Sequence, residues 1–261
     1  QAETLPLALQ GRDVIAKAKT GTGKTIGFLL PTIERLVAAG GALLQRRGVH
    51  ALAVSPTREL ASQIREEAEQ LITFHKPRLS SRVVVGGTKV EKDARAIAAR
   101  PPSLLVATPG RLNDLLSNHG LAALCEGLAT LIFDEADQLL DMGFRPDVER
   151  ILAALRPSAA SRQTLLFSAT LPQGVVSITR FATREATLVD TVGDAEEQTN
   201  AQVSQQLTVT SEAAQPAELL GLLRKLKATP GHKVVVFFVT ARLTQLYAEA
   251  FCELGLGPLE M

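Results

Sequence analysis

The chain alternates two kinds of segment. Short, near-continuous apolar runs recur along it, each followed by a stretch with helical periodicity. Residues 13–18 read as a strand and 24–37 as a helix; 50–55 read as a strand and 59–74 as a helix. Further strands are expected over 81–85, 104–107, 129–133 and 164–167, with a weaker one over 188–192. Helices are expected over 91–99, 111–116 and 145–155. Strands rich in Val, Ile and Leu are buried on both faces. Alternating with helices, they indicate an α/β fold with a parallel sheet covered by helices on both faces. Crossovers in such a sheet are right-handed, and its ligands bind at the carboxyl ends of the strands.

The alternation breaks after residue 192. The stretch 193–201 is polar and acidic and reads as a linker. Strands are then expected over 202–210 and 233–239, with helices over 216–226 and 243–254. The expected organisation is therefore a domain over 1–192, a linker over 193–201 and a second unit over 202–261. A unit of that size buries little by itself, so an incomplete second domain is expected.

Composition excludes several classes. At 46% hydrophobic and 21% charged residues, the chain is globular in type. The longest apolar runs fall far short of the ~18 residues that span a bilayer, so no membrane association is expected. Cys125 and Cys252 make no disulfide scaffold and have no metal-ligand spacing, which suits a reducing intracellular compartment. The chain opens on Gln1 with no charged-then-apolar leader, and the organelle stays open. The net charge of +1 hides an asymmetry. Residues 1–100 carry 16 basic and 9 acidic side chains, whereas 101–200 carry 7 and 13. A polyanion on one face is compatible with that, as are ordinary solvated helices.

The chemistry begins where the first strand ends. Ala18-Lys19-Thr20-Gly21-Thr22-Gly23-Lys24-Thr25 follows a strand and opens a helix, the context of a phosphate-binding loop. Gly21 and Gly23 let the backbone turn and aim amides at phosphate oxygens. The helix N-terminus adds partial positive charge. Lys24 is suited to the β- and γ-phosphates and the Thr25 hydroxyl to Mg²⁺. Ala18 stands where the generic pattern has Gly, and a Gly-rich turn is the plainer alternative. The partner is Asp134-Glu135-Ala136-Asp137, at the end of another apolar strand. Asp134 is placed to hold Mg²⁺ through its water shell, and Glu135 to orient or deprotonate a water. A helix cap would explain such a cluster standing alone. Its position on a second parallel strand, at the same sheet edge as the loop, favours a shared ligand. Hydrolysis of a β–γ phosphate bond follows.

The strings AKTGTGKT, PTRELA, GG, TPGRL, DEAD and SAT occur in the order and spacing of DEAD-box ATP-dependent RNA helicases, and the chain resembles that family along its whole length. Ala18 is the family's own version of the loop. The resemblance implies a RecA-like P-loop domain followed by a truncated second RecA-like domain, with ATP and Mg²⁺ as cofactors. Lys24, Asp134 and Glu135 would be catalytic. ATP would be held by Gln1, which resembles the adenine-reading glutamine, and by the loop from Ala18 to Thr25; Mg²⁺ would be held by Thr25 and Asp134. RNA would be contacted by Pro56, Thr57 and Arg58, by Gly86 and Gly87, and by Thr108, Pro109, Gly110 and Arg111. Ser168 and Thr170, with Asp137, would couple nucleotide state to unwinding. Thr240 is a weaker RNA candidate.

The implied activity is ATP hydrolysis coupled to sequence-independent RNA binding and local unwinding. The partner is single-stranded RNA or a short duplex, through its backbone, and a monomer is expected. No arginine-rich motif follows Thr240, so the isolated chain is expected to hydrolyse little. The sequence names neither the RNA nor any protein partner. Rival readings are a non-hydrolysing RNA clamp, a P-loop GTPase or transport ATPase, and a DNA helicase.

Overall fold

The computed structural model describes residues 1–19, 21–40, 46–75, 79–192 and 204–256. The chain divides into two compact units, Gln1–Gln198 and Thr199–Met261.

The first unit is built on seven strands: β1 Val14–Lys17, β2 Ala51–Val54, β3 Ser81–Val84, β4 Leu104–Ala107, β5 Thr130–Phe133, β6 Gln163–Ser168 and β7 Thr187–Asp190. They pair in the order β3-β4-β2-β5-β6-β1-β7, every pair parallel. The register sets Lys17 opposite Ser168, and Val54 opposite both Ala107 and Phe133.

Successive strand residues point to opposite faces, so each strand feeds two cores. Leu52, Val54, Leu105, Ala107, Leu131, Phe133 and Leu166 enter one; Ala51, Ala53, Leu104, Val106, Ile132, Leu165 and Phe167 enter the other. All are at least 98% buried. The second face is covered by α1 (Thr4–Leu9), α2 (Lys24–Ala38) and α3 (Arg58–Leu71). The first is covered by α4 (Val90–Ala99), α5 (Pro109–Asn118), α6 (Leu121–Leu124), α7 (Ala136–Asp141), α8 (Arg145–Ala154) and α9 (Gln173–Ala182). The sheet is thus sandwiched as the apolar runs imply. The helices α1, α6, α7 and α9 are additions that the sequence reading did not single out.

Among the described residues the second unit holds two helices, α10 (Gln215–Lys227) and α11 (Ala241–Glu253). Tyr247 stacks on Phe238 at 4.6 Å and meets Phe251 edge-on at 5.4 Å. The strands expected over 202–210 and 233–239 are corrected here: residues 204–210 and 233–239 lie in no strand. The physical reason is that a strand exists through its ladder, and neither segment has a partner strand among the described residues. Val235, Phe237 and Val239 stay largely exposed as a result. The expected linker, 193–201, lies outside the described residues.

Candidate active site and adjoining groove

The strand order divides one sheet edge into two halves. The carboxyl ends of β1, β6 and β5 carry the phosphate-type loop, Ser168-Ala169-Thr170 and the acidic cluster. Those of β2, β4 and β3 carry residues 56–58, 108–111 and 86–87. Six motifs scattered along the chain therefore become two neighbouring groups.

In the first group the loop leaves β1 at Ala18, whose N–H donates to the Ser168 carbonyl at 3.0 Å. The Thr22 hydroxyl donates to the Lys19 carbonyl at 2.8 Å, closing the loop on itself. Thr20 lies outside the described residues. Gly23 caps α2 at φ 79°, a left-handed backbone that favours glycine, and a Cβ there would displace the Gln1 side-chain amide. Gln1 lies over the loop and donates through Nε2 to the Gly23 carbonyl at 3.2 Å. Lys24 and Thr25 form the first turn of α2.

Lys24 reaches across to the acidic cluster. Its Nζ pairs with Glu135 Oε1 at 2.7 Å, both side chains being 8% exposed. Glu135 itself sits at φ 48°, a left-handed conformation uncommon outside glycine and costing about 1–3 kcal/mol. Strain of that kind is retained where side-chain direction matters. Asp134, one residue earlier, donates its N–H to the Val54 carbonyl at 3.0 Å, which fixes it at the end of β5. Burial first, and the neighbouring Glu135 charge second, push the Asp134 carboxyl up to about 7.

Asp134 Oδ1 and Glu135 Oε2 are buried without a hydrogen-bond partner. Two bare carboxylate oxygens beside a phosphate loop suit a hard cation. Among the described residues no group of three or more His, Cys, Asp or Glu is arranged to hold a metal ion. Mg²⁺ takes one or two carboxylates and completes its shell with water and phosphate. Asp134, with Thr25 at the start of α2, would hold it.

Asp137 links this group to β6. Burial alone would raise its pKa, but hydrogen bonds from Thr170, Gln138 and Ser168 outweigh that and lower it. Its Oδ2 accepts from the Thr170 N–H and hydroxyl, both at 2.8 Å, and its own N–H donates to Ser168 Oγ at 3.0 Å. The three residues assigned to coupling are therefore in direct contact.

The second group lines a groove of about 660 Å³. Pro56, Thr57, Arg58, Gly86, Thr108, Gly110 and Arg111 all face it. Thr57 caps α3, its hydroxyl accepting from the Leu60 N–H at 3.2 Å, which sets Arg58 at the first helical position. The Arg58 guanidinium lies over Gly86 and Gly87, where a Cβ at Gly87 would come within 2.7 Å of it. Pro109 opens α5 from a buried position. Arg111 is held differently from Arg58. It pairs with Asp93 and donates to the Thr88 hydroxyl at 3.1 Å and the Thr88 carbonyl. Arg58 makes no ion pair among the described residues. Thr240, the weaker RNA candidate, lies in the second unit and caps α11.

The sequence reading missed four residues that line this groove: Glu59, Asp114, Met142 and Phe144. Glu59 and Asp114 sit inside or one turn beyond motifs already marked, so position alone could have flagged them. Met142 and Phe144 follow the acidic cluster by a helix that only the structure reveals.

Residues 1–178 match the DEAD/DEAH box helicase family model. The chain is 44% identical over its whole length to DEAD-box ATP-dependent RNA helicase 25 of Oryza sativa subsp. japonica, covering 44% of that protein. It is 42% identical to DEAD-box ATP-dependent RNA helicase 31 of Arabidopsis thaliana, covering 37% of it. The chain thus spans half or less of the length of these curated relatives. Among solved structures, Mss116p bound to ssRNA and AMP-PNP superposes with a TM-score of 0.85 at 30% identity, over 96% of this chain and 51% of the other. A hypothetical ATP-dependent RNA helicase from Sulfolobus tokodaii gives 0.61 at 30% identity over 72% of this chain and 51% of the other.

Proposed function

This chain belongs to the DEAD/DEAH box helicase family and has its RecA-like fold, and from that premise we propose that it is an ATP-dependent RNA helicase. The whole protein hydrolyses Mg-ATP and couples the hydrolysis to sequence-independent RNA binding and local strand separation, whereas this chain alone hydrolyses little. The observation that carries this reading is the division of the sheet edge. A phosphate loop facing two buried carboxylates occupies β1-β6-β5, and a groove holding Arg58 occupies β2-β4-β3. Mss116p, which was solved with ssRNA and AMP-PNP bound together, supports the pairing of ligands.

The loop amides and the α2 N-terminus receive the phosphates. Lys24 leaves Glu135 for the β- and γ-phosphate oxygens, because a charge-assisted bond to phosphate replaces the one to carboxylate. Glu135 is thereby freed as a base. It accepts a proton from a water whose oxygen bonds to the γ-phosphorus as the bond to the bridging β–γ oxygen breaks. Mg²⁺ supplies charge neutralisation to the phosphates when bound. Gln1, beside Gly23, contacts the adenine, its amide both donating and accepting.

Asp137 carries the state of the cluster to Ser168 and Thr170 on β6. In the groove, Arg58 contacts RNA phosphate, so recognition is independent of sequence and sensitive to salt. ATP binding bends one RNA strand. A bent strand cannot stay in an A-form duplex, and hydrolysis releases it.

The test, made on the whole protein that carries this chain, is ATP hydrolysis with RNA, with the matching DNA and without nucleic acid, beside a strand-displacement assay. Stimulation by RNA above DNA with displacement supports the reading. ATP binding without hydrolysis or displacement would favour a passive clamp. Equal stimulation by DNA would remove the RNA assignment.

A further inference from the structure

Ser55 follows β2 with a side chain that the core does not explain. The residue is 0% exposed, and its Oγ has no hydrogen-bond partner among the described residues. Its backbone is settled, the N–H donating to the Ala107 carbonyl of β4 at 3.0 Å. A buried hydroxyl without a partner is unfavourable, and folded proteins keep few of them. Alanine would fill the same place in the core without that cost.

The neighbour of Ser55 across the sheet is Asp134. Val54 is opposite Phe133 in the β2–β5 register. The Asp134 N–H carries that ladder one step further by donating to the Val54 carbonyl at 3.0 Å. Ser55 and Asp134 are therefore the next pair, on strands about 4.8 Å apart. Side chains alternate along each strand, and Ala51, Ala53 and Ile132 all enter the core under α1, α2 and α3. Two residues beyond Ala53 and Ile132, Ser55 and Asp134 belong to that same face. Two bare oxygens, Ser55 Oγ and Asp134 Oδ1, are thus buried on neighbouring strands and on one side of the sheet. The helix that begins with Lys24 and Thr25 covers this side as well.

We propose that Ser55 is a positioning residue of the magnesium site, its hydroxyl donating to the Asp134 carboxylate and fixing the direction in which that carboxylate faces. The inference rests on the Mg-ATP reading and deepens it. A hydroxyl donates one hydrogen bond and a carboxylate accepts several. One bond from Ser55 therefore restricts rotation of the Asp134 side chain and leaves lone pairs for the water shell of the cation. Supporting bonds of this kind orient the groups that hold a metal without touching the metal themselves. In the nucleotide-free structure neither oxygen has a hydrogen bond. The bond therefore forms only as Asp134 engages the cation, and Ser55 adds nothing to the fold before that.

The experiment uses the whole protein that carries this chain, unsubstituted and as Ser55→Ala. Binding of a fluorescent ATP is followed by anisotropy while Mg²⁺ is titrated in, and again in EDTA. A melting curve in EDTA accompanies each protein. In Ser55→Ala the Mg²⁺ concentration that gives half of the gain in ATP affinity is expected to rise about tenfold, the low end of what losing such a supporting bond costs a metal site. ATP affinity in EDTA should match the parent's. The melting temperature in EDTA should be no lower than the parent's, because the substitution removes an unpaired hydroxyl and no hydrogen bond. An unchanged Mg²⁺ requirement in Ser55→Ala would overturn the proposal and leave the Mg-ATP reading intact. So would an equal loss of ATP affinity with and without Mg²⁺, or a lowered melting temperature, since either marks a structural role. No gain in ATP affinity from Mg²⁺ in the unsubstituted protein would overturn both the proposal and the Mg-ATP reading.

Discussion

Asp134→Asn should stabilise the nucleotide-free protein, and increasingly so as pH rises. The carboxyl is 5% exposed, its Oδ1 has no hydrogen-bond partner, and its pKa stands at about 7 against 3.8 for an ordinary aspartate. A folded-state pKa above the unfolded one means the folded protein holds the proton more tightly. The stability this gives is complete below about pH 4 and is lost as pH climbs through about 7. About three pH units at ~1.4 kcal/mol each put the loss on the order of 4 kcal/mol. Asparagine carries no such charge. The difference between variant and parent should therefore be near zero at about pH 4 and reach that size above about pH 8. For a chain of this length it corresponds to a melting temperature higher by roughly 8–16 °C.

The assay is a set of melting curves across pH in EDTA without nucleotide. Asp137→Asn is the internal contrast. The Asp137 carboxylate is held below its ordinary pKa by hydrogen bonds that outweigh its burial, so its stabilisation is present above about pH 4 and lost as pH falls. That substitution should lower the melting temperature at neutral pH and cost less in acid. A stability difference for Asp134→Asn that does not grow with pH, or that has the opposite sign, would show that burial does not hold this carboxyl protonated. With Mg-ATP present the order should invert, because the parent alone keeps the carboxylate that the cation needs.

Other consequences follow from single contacts. Ser168→Ala removes the acceptor of the buried Asp137 N–H and should cost about 1–3 kcal/mol; thermal melts measure this, and ATP affinity should stay within a factor of two or so. Gly23→Ala puts a Cβ onto the Gln1 amide and a left-handed φ onto alanine; calorimetry should show ATP binding lost or reduced more than tenfold or so. Lys24→Ala leaves Glu135 buried beside Asp134 with no cation, and should cost about 3–5 kcal/mol in the nucleotide-free melt besides abolishing ATP binding.

Much of the fold is legible in the residues for a physical reason. A parallel strand buried on both faces must be apolar throughout, so Ala51–Val54, Leu104–Ala107 and Thr130–Phe133 stand out as runs. Polar residues just after such runs mark the carboxyl edge, which is how Lys24, Asp134, Arg58 and Arg111 could be named. The order of strands was not legible, because it is set by crossovers whose length does not encode which neighbour they skip. The split of one edge into a nucleotide half and a groove half was therefore invisible. The strands expected over 202–210 and 233–239 failed for a related reason. Apolar alternation shows what a segment can pair with, and neither segment has a partner strand among the described residues. The Lys24–Glu135 pair and the placement of Met142 and Phe144 at the groove depend on a left-handed backbone at Glu135 and at Gly143. The second glycine could have signalled a helix end; nothing in the residue type signals the first.

In the proposed reaction Glu135 is the base of an ATPase whose phosphate site is built by Lys24 and the loop. Glu135→Gln in the whole protein that carries this chain tests this, by fluorescent-ATP binding and by radiometric release of phosphate with and without single-stranded RNA. The variant is predicted to bind ATP at least as tightly as the parent, since Lys24 no longer has a carboxylate to leave. Its phosphate release is predicted to fall to background, with or without RNA. Release at the parent's rate from Glu135→Gln, or the parent's failure to bind ATP, would contradict the claim.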